Sequence, residues 1–208
     1  MGADMRAHWE RVYTRTPVDR VGWYRPHLDT SLRLIEELDL STDAHIIDVG
    51  GGASTLVDDL LAMGFTRITV LDISPTALAI AKQRLGNRAR QVQWLEGDIT
   101  TISLPQAHYD VWHDRAVFHF LVDPVQREQY LQRLRHALKP GGHLIIATFS
   151  PAAPPKCSGL PVERYTLDRL RDVLGGAFEV RAWREEEHIT PGGVHQPYLY
   201  ACFYYRPD

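Results

Sequence analysis

A short apolar run ends in an acid and passes straight into three glycines in His45-Ile46-Ile47-Asp48-Val49-Gly50-Gly51-Gly52-Ala53-Ser54. No other feature constrains the fold of this chain as strongly. The pattern predicts a buried strand, a tight turn and the start of a helix. Glycine strips the turn of side chains, so a ligand can press against backbone, and it permits positive φ. A second apolar run, Ile68-Thr69-Val70-Leu71, ends in Asp72. In a βαβ unit that binds a nucleotide, a ribose-binding acid is expected at about this spacing. The two segments together predict a seat for a nucleoside cofactor.

The surrounding pattern alternates. Residues 3–14 place Met5, Trp9 and Val12 at helical spacing, and Leu28–Leu38 carries an apolar stripe. Strands follow at Ala44–Val49, Arg67–Leu71, Val92–Leu95, Tyr109–Trp112 and His143–Phe149. Helices fall between them at Ser54–Met63, Ser74–Leu85 and Pro124–Leu138. Ser74 before Pro75 is a helix start, with the capping hydroxyl ahead of proline at the first helical position. After a helix at Tyr165–Leu174, Phe178–Glu187 and Tyr198–Tyr205 read as strands with only a Thr190-Pro191-Gly192-Gly193 turn in the linker. Without a crossover helix that pair is antiparallel. The fold class is therefore α/β: a doubly wound, mostly parallel seven-stranded sheet with a C-terminal antiparallel hairpin strand. A single domain over 1–208 is expected, with 1–27 as an N-terminal helix and candidate lid and 28–208 as the core.

Composition narrows the partners. The net charge is -3, with no basic excess to neutralise phosphates, so nucleic acid is not the expected partner. Two cysteines, Cys157 and Cys202, form no disulfide framework. Met1–Arg6 lacks the apolar stretch of a signal peptide, and no run is long enough to span a bilayer. The expectation is a cytoplasmic protein, monomer or homodimer, with no membrane partner.

The glycines can be assigned more closely. Gly50 and Gly52 match the first two positions of a dinucleotide fingerprint, but Thr55 stands where the third glycine belongs. No Gly-Lys-Ser/Thr follows, so this is not a P-loop. The segments Asp48-Val49-Gly50-Gly51-Gly52-Ala53-Ser54, Leu71-Asp72-Ile73-Ser74, Glu96-Gly97-Asp98-Ile99 and Leu138-Lys139-Pro140-Gly141-Gly142 stand in one order and spacing. In that arrangement the chain resembles class I S-adenosylmethionine-dependent methyltransferases, with their Rossmann-like methyltransferase fold, over roughly residues 28–206.

The resemblance implies S-adenosyl-L-methionine as cofactor and S-adenosyl-L-homocysteine as product. It implies that Gly50 and Gly52 let backbone approach the amino-acid end, with Asp48 beneath its ammonium. Asp72 would take the ribose hydroxyls, Ile73 would cover one adenine face, and Asp98 would accept from the adenine amino group beside the Ile99 N–H. Trp23 and Tyr24, ahead of the first strand, would fold over the site as a lid. No Asn/Asp-Pro-Pro-Tyr motif follows the fourth strand, which argues against nucleic-acid or glutamine N-methylation.

For the chemistry, ligands bind beyond the carboxyl ends of such strands. His113, Asp114, Arg115 and His119 follow strand four, Cys157 lies in the loop after strand five, and His188 is near the terminal hairpin. These are the catalytic candidates, and His113 is also a cofactor candidate. Each has a structural alternative: His119 sits in an apolar run, His188 and His195 flank a turn, and a lone thiol is usually incidental. The histidine spacing fits no standard metal site, so no metal is expected. The expected reaction is methyl transfer to a small-molecule nucleophile: a thiol, carboxylate or hydroxyl. The alternative is protein-lysine N-methylation, since His8-Trp9-Glu10-Arg11-Val12-Tyr13 followed by Trp23-Tyr24 resembles the opening of some lysine methyltransferases, and Glu185-Glu186-Glu187 could face a lysine. A non-catalytic S-adenosylmethionine-binding module is the third reading.

Overall fold

The computed structural model describes residues 2–207, and side chains from Asp4 onward. Helix α1 (Gly2–Arg15) and α2 (Asp29–Glu36) precede β1 (His45–Val49). Then α3 (Leu56–Ala62), β2 (Arg67–Asp72), α4 (Pro75–Leu85), β3 (Val92–Glu96) and β4 (Tyr109–Arg115) alternate. Helix α5 (Pro124–Ala137) leads into β5 (Leu138–Phe149). A two-strand ribbon, β6 (Lys156–Cys157) and β7 (Leu160–Pro161), precedes α6 (Leu167–Leu174), β8 (Phe178–Ile189) and β9 (His195–Tyr205).

Seven strands form one sheet in the order β3-β2-β1-β4-β5-β9-β8. The first five are parallel, and β9 runs antiparallel to both β5 and β8. Central strands bury both faces, so neighbouring residues serve two separate cores. Ile46, Val111 and Ile145 pack on one side with Leu34 and Leu60. Ile47, Trp112 and Ile146 pack on the other with Tyr130 and Leu134. This is why these strands read as near-continuous apolar runs rather than alternating ones.

The strand order reverses between β1 and β4, and the crevice of a doubly wound sheet opens at such a switch point. Register places Asp48 beside His113 and Val49 beside Asp114 there. Strand β4 runs three residues further than the sequence pattern indicates, because pairing with β5 continues to Arg115 and Ala147. His113, Asp114 and Arg115 are therefore strand residues and not loop residues.

Helix starts follow their capping chemistry. Ser74 Oγ accepts from the Ala77 N–H at 3.1 Å, Asp123 accepts from the Val125 N–H at 2.9 Å, and Thr166 accepts from the Arg169 N–H at 3.2 Å. Helix α1 is fastened across the start of α4 by Glu10. Its carboxylate accepts from Ser74 Oγ, from the Thr76 N–H at 3.1 Å and from Thr76 Oγ1 at 2.7 Å. Trp9 and Tyr13 of α1 then meet Trp23 edge-on, at ring distances of 5.4 and 6.0 Å.

The end of β4 is held by a buried polar chain. Trp112 Nε1–H donates to Tyr130 Oη at 2.9 Å, and Tyr130 O–H donates to Asp114 Oδ2 at 2.6 Å. Asp114 Oδ1 also accepts from the Val117 N–H at 2.9 Å, closing the turn after the strand. Tyr130→Phe removes one acceptor and one donor from this chain, leaving the Trp112 donor unpaired. A loss of about 1–3 kcal/mol in urea unfolding is expected, and a change near zero would show the chain to be energetically idle.

Candidate active site

The three glycines and the acids around them fit by close approach. A Cβ on Gly51 would lie 2.4 Å from Asp48 Oδ2. Gly52 has φ +43°, and a Cβ there would lie 2.6 Å from Asp72 Oδ2 and 3.2 Å from the Tyr13 hydroxyl. The turn thus lies directly on two carboxylates, which any side chain would displace. Gly50 N–H donates to the Leu71 carbonyl at 2.7 Å, tying the turn to β2.

Beyond this turn opens a cavity of about 300 Å³, at the small end of ligand-binding pockets. One wall holds Gly50, Asp72, Ile73, Asp98 and Ile99. Asp72 Oδ1 accepts from the Ser74 N–H at 2.8 Å, so Oδ2 is left to face a ligand. Asp98 Oδ1 caps its own turn, accepting from the Thr100 N–H at 2.9 Å and from Thr100 Oγ1 at 2.7 Å. That oxygen serves the turn and leaves Oδ2. The opposite wall is apolar: Trp9, Trp23, Phe120, Leu160 and Pro161, with Cys157 beside them and Arg115 at the edge. A smaller recess of about 40 Å³ adjoins it, bounded by Tyr24, Asp48, Gly51, Ser54 and His113, and Arg115 lines both.

A polar network lies under the recess. His113 Nδ1–H donates to Asp48 Oδ1 at 2.7 Å, and its Nε2 meets Ser31 Oγ at 2.8 Å. His113 is 1% exposed and Ser31 0%. With both ring nitrogens engaged and no face on the large cavity, His113 does not serve as a base for an acceptor there. It braces Asp48 and ties it to α2.

The other catalytic candidates are also corrected by their surroundings. Asp114 is enclosed by Tyr130, Val117 and Phe118 and serves the turn, and burial pushes its carboxyl up to about 6. His119 is fully buried between Phe120 and Phe149, with Nδ1 accepting from the Phe149 N–H at 3.3 Å. Burial lowers its imidazole to about 3, with the Arg115 charge adding to the effect, so it stays neutral. His188 Nε2–H donates to the Gly22 carbonyl at 2.7 Å and anchors the segment that carries Trp23. Cys157 does line the cavity, but burial pushes its thiol up to about 12, and it is not a thiolate at neutral pH. Only Arg115 and Cys157 of the six reach the large cavity. His195 pairs with Glu187 on the exposed hairpin. Among the described residues no group of side chains could hold a metal ion.

Met5, Trp9 and Tyr13, four residues apart on α1, all line the cavity. Sequence spacing showed Met5 and Trp9 as one face of a helix, and Tyr13 extends it. Nothing in the sequence showed that this face covers the site. Ser31 carried no signal at all.

Likeness to known proteins points the same way as the fold. A family described as "Methyltransferase domain" matches residues 46–142. The human protein "EEF1A lysine methyltransferase 2" is 25% identical over 165 residues, covering 69% of this chain and 66% of that protein. The Thermus thermophilus "Demethylmenaquinone methyltransferase" is 30% identical over 156 residues, covering 74% of this chain and 65% of that protein. A Burkholderia thailandensis 1,6-didemethyltoxoflavin-N1-methyltransferase, solved with 1,6-didemethyltoxoflavin and S-adenosylhomocysteine, superposes with a TM-score of 0.68. It is 20% identical, with 99% of this chain and 85% of that chain covered. The family match over residues 46–142 and these likenesses support a class I S-adenosylmethionine-dependent methyltransferase. The chain spans about two thirds of the length of those two curated relatives, and half of several others.

Asp72 carries a pH signature. It is 7% exposed, and burial, with the nearby Asp48 charge, pushes its carboxyl up to about 7 from an ordinary 3.8. The folded chain therefore holds an extra proton between the two values, and this group's contribution falls as pH rises through that window. In the cofactor-free protein, Asp72→Asn is expected to raise stability at pH 8 by up to about 4 kcal/mol and to change it little at pH 4.5. Thermal unfolding at the two pH values checks this, and an equal effect at both removes the assignment.

Proposed function

We propose that the protein transfers the methyl group of S-adenosylmethionine to a small-molecule nucleophile in the cytoplasm. The cofactor supplies an electrophilic methyl on a sulfonium. The chain must hold the nucleophile in line with the methyl–sulfur bond and keep water away. In this reading Asp72 Oδ2 takes the ribose hydroxyls in a charge-assisted contact. Asp98 Oδ2 accepts from the adenine amino group between Ile73 and Ile99. Gly50 and Gly52 present backbone to the amino-acid end, where Asp48, held by His113, meets the ammonium. Trp23 and Tyr24 close the site from the N-terminal side.

The observation that carries the acceptor class is the far wall of the cavity. It is aromatic and aliphatic, and its only basic side chain is Arg115. Among the described residues lining it there is no histidine, and its acids are Asp72 and Asp98, both on the cofactor wall. Without a base nearby, a carboxylate or a thiol of pKa ~8.5 is a better nucleophile than an aliphatic hydroxyl. A protein-lysine acceptor is the second reading, supported by the likeness to the human lysine methyltransferase. Its ammonium would meet the Arg115 charge, and Glu186, the acid nearest in kind to a lysine partner, is engaged by Arg25 at 3.5 Å and by Thr30 at 2.5 Å. Glu187 is paired with His195 at 2.6 Å.

Release of S-adenosylhomocysteine from panels of small thiols, small acids, hydroxyl compounds and lysine peptides tests this. Turnover is expected with thiols or acids. Turnover with lysine peptides alone would replace the small-molecule reading, and cofactor binding without turnover on any panel would favour a binding module. For the cofactor contacts, Asp72→Ala is expected to weaken S-adenosylhomocysteine at least tenfold at pH 8 while far-UV dichroism is retained. In the unaltered protein, affinity is expected to fall about tenfold at one unit below the Asp72 pKa, because only the carboxylate accepts from both hydroxyls. Flat affinity from pH 8 to 6 would sink the ribose assignment.

A further inference from the structure

We propose that Arg115 is a built seat for a carboxylate, at the junction between the glycine-turn recess and the large cavity. The proposal rests on the S-adenosylmethionine reading above. Arg115 ends β4, and its guanidinium is fixed on three sides by groups that carry no charge at neutral pH. Nε–H donates to the Tyr200 hydroxyl at 2.8 Å, Nη1–H donates to the Trp23 carbonyl at 3.1 Å, and the group lies 4.9 Å over the Tyr198 ring. Nη2 is buried and has no partner. Among the described residues no Asp or Glu forms an ion pair with it. Glu186, whose charge reaches it, is held by Arg25 and Thr30.

A guanidinium cannot shed its proton to escape burial. A largely desolvated cation calls for an opposite charge in contact, and among the described residues no carboxylate pairs with it. A second donor lies in the same cluster. Tyr198 is fully buried and its hydroxyl has no partner. A planar fork with its outer nitrogen free suits a planar two-oxygen anion better than a neutral amide or an ammonium. The arginine is also pre-set, since three contacts already fix its rotamer and little freedom remains to be lost on binding. One of those contacts is the carbonyl of Trp23, so a displaced N-terminal segment also loosens the seat.

Two carboxylates could occupy it. Arg115 borders the recess formed with Gly50, Gly51 and Ser54, where the cofactor's amino-acid end belongs, and it borders the large cavity beside Trp9, Trp23 and Cys157, where an acidic acceptor belongs. Calorimetry separates them. The first arm compares S-adenosylhomocysteine with its decarboxylated analogue on the wild type, Arg115→Lys and Arg115→Met. If the seat holds the cofactor, the wild type prefers the carboxylate form at least tenfold, Arg115→Met loses the preference and Arg115→Lys keeps part of it. The second arm titrates phenylacetate and phenylacetamide into the S-adenosylhomocysteine complex. If the seat holds the acceptor, the wild type favours the acid at least tenfold, and Arg115→Met abolishes that while the first-arm preference survives.

A role of Arg115 in folding alone would weaken both members of each pair equally. Unchanged ratios in both arms for Arg115→Met overturn the proposal. Failure of the wild type to bind S-adenosylhomocysteine at all would instead refute the cofactor reading on which it rests.

Discussion

The site depends on the lateral pairing of β1 with β4 at the reversal of strand order. Asp48 and His113, 65 residues apart in sequence, become neighbours there and share a hydrogen bond of 2.7 Å in the interior. Everything the glycine turn does rests on that floor. Gly51 lies so close to the Asp48 carboxylate that its backbone takes its place from the acid beneath it. Ser31 closes the network from α2, so the helix behind the N-terminal segment is joined to the same floor. The glycine turn is thereby made rigid from below by a buried side-chain network.

The buried polar groups around β4 divide into two kinds. Asp114, Tyr130 and Trp112 satisfy one another and hold the end of the strand in place. His119 and His188 are neutral anchors, one under β5 and one under the segment carrying Trp23. Such networks stabilise a unique arrangement only when their members are paired. Like His119 and His188, Arg115 keeps one nitrogen without a partner, but it differs in carrying a permanent charge that is pinned by neutral groups and paired with no carboxylate among the described residues. The contrast sets groups that hold the strands in place apart from a cation held only by neutral partners.

Helix α1 lines the cavity through Met5, Trp9 and Tyr13. Glu10 fastens it across the N-terminus of α4, where a negative charge is favoured by the helix dipole. Trp9 and Tyr13 then form one wall of the cavity with Trp23, and the β6–β7 ribbon forms another through Leu160 and Pro161. Both covers lie outside the alternating core. They line one wall of the cavity, while the ends of the core strands line the other.

By itself the sequence determined the alternating core, the antiparallel last pair and the glycine turn, because these are local. Apolar periodicity sets each strand, Ser74-Pro75 sets a helix start, and glycine is required where backbone must lie on a carboxylate. Asp72, Ile73, Asp98 and Ile99, each near the end of a strand, line one cavity. Only the tertiary structure decided which polar residues could do chemistry. His113, Asp114, His119 and His188 have the composition of an acid–base site, but strand register and burial turn every one of them to bracing. Whether a titratable group meets ligand or core depends on which face of a strand it occupies and what packs over that face. That is settled by contacts between segments far apart in the chain, such as α1 over α4 and Arg115 beneath Trp23, and no local pattern encodes them.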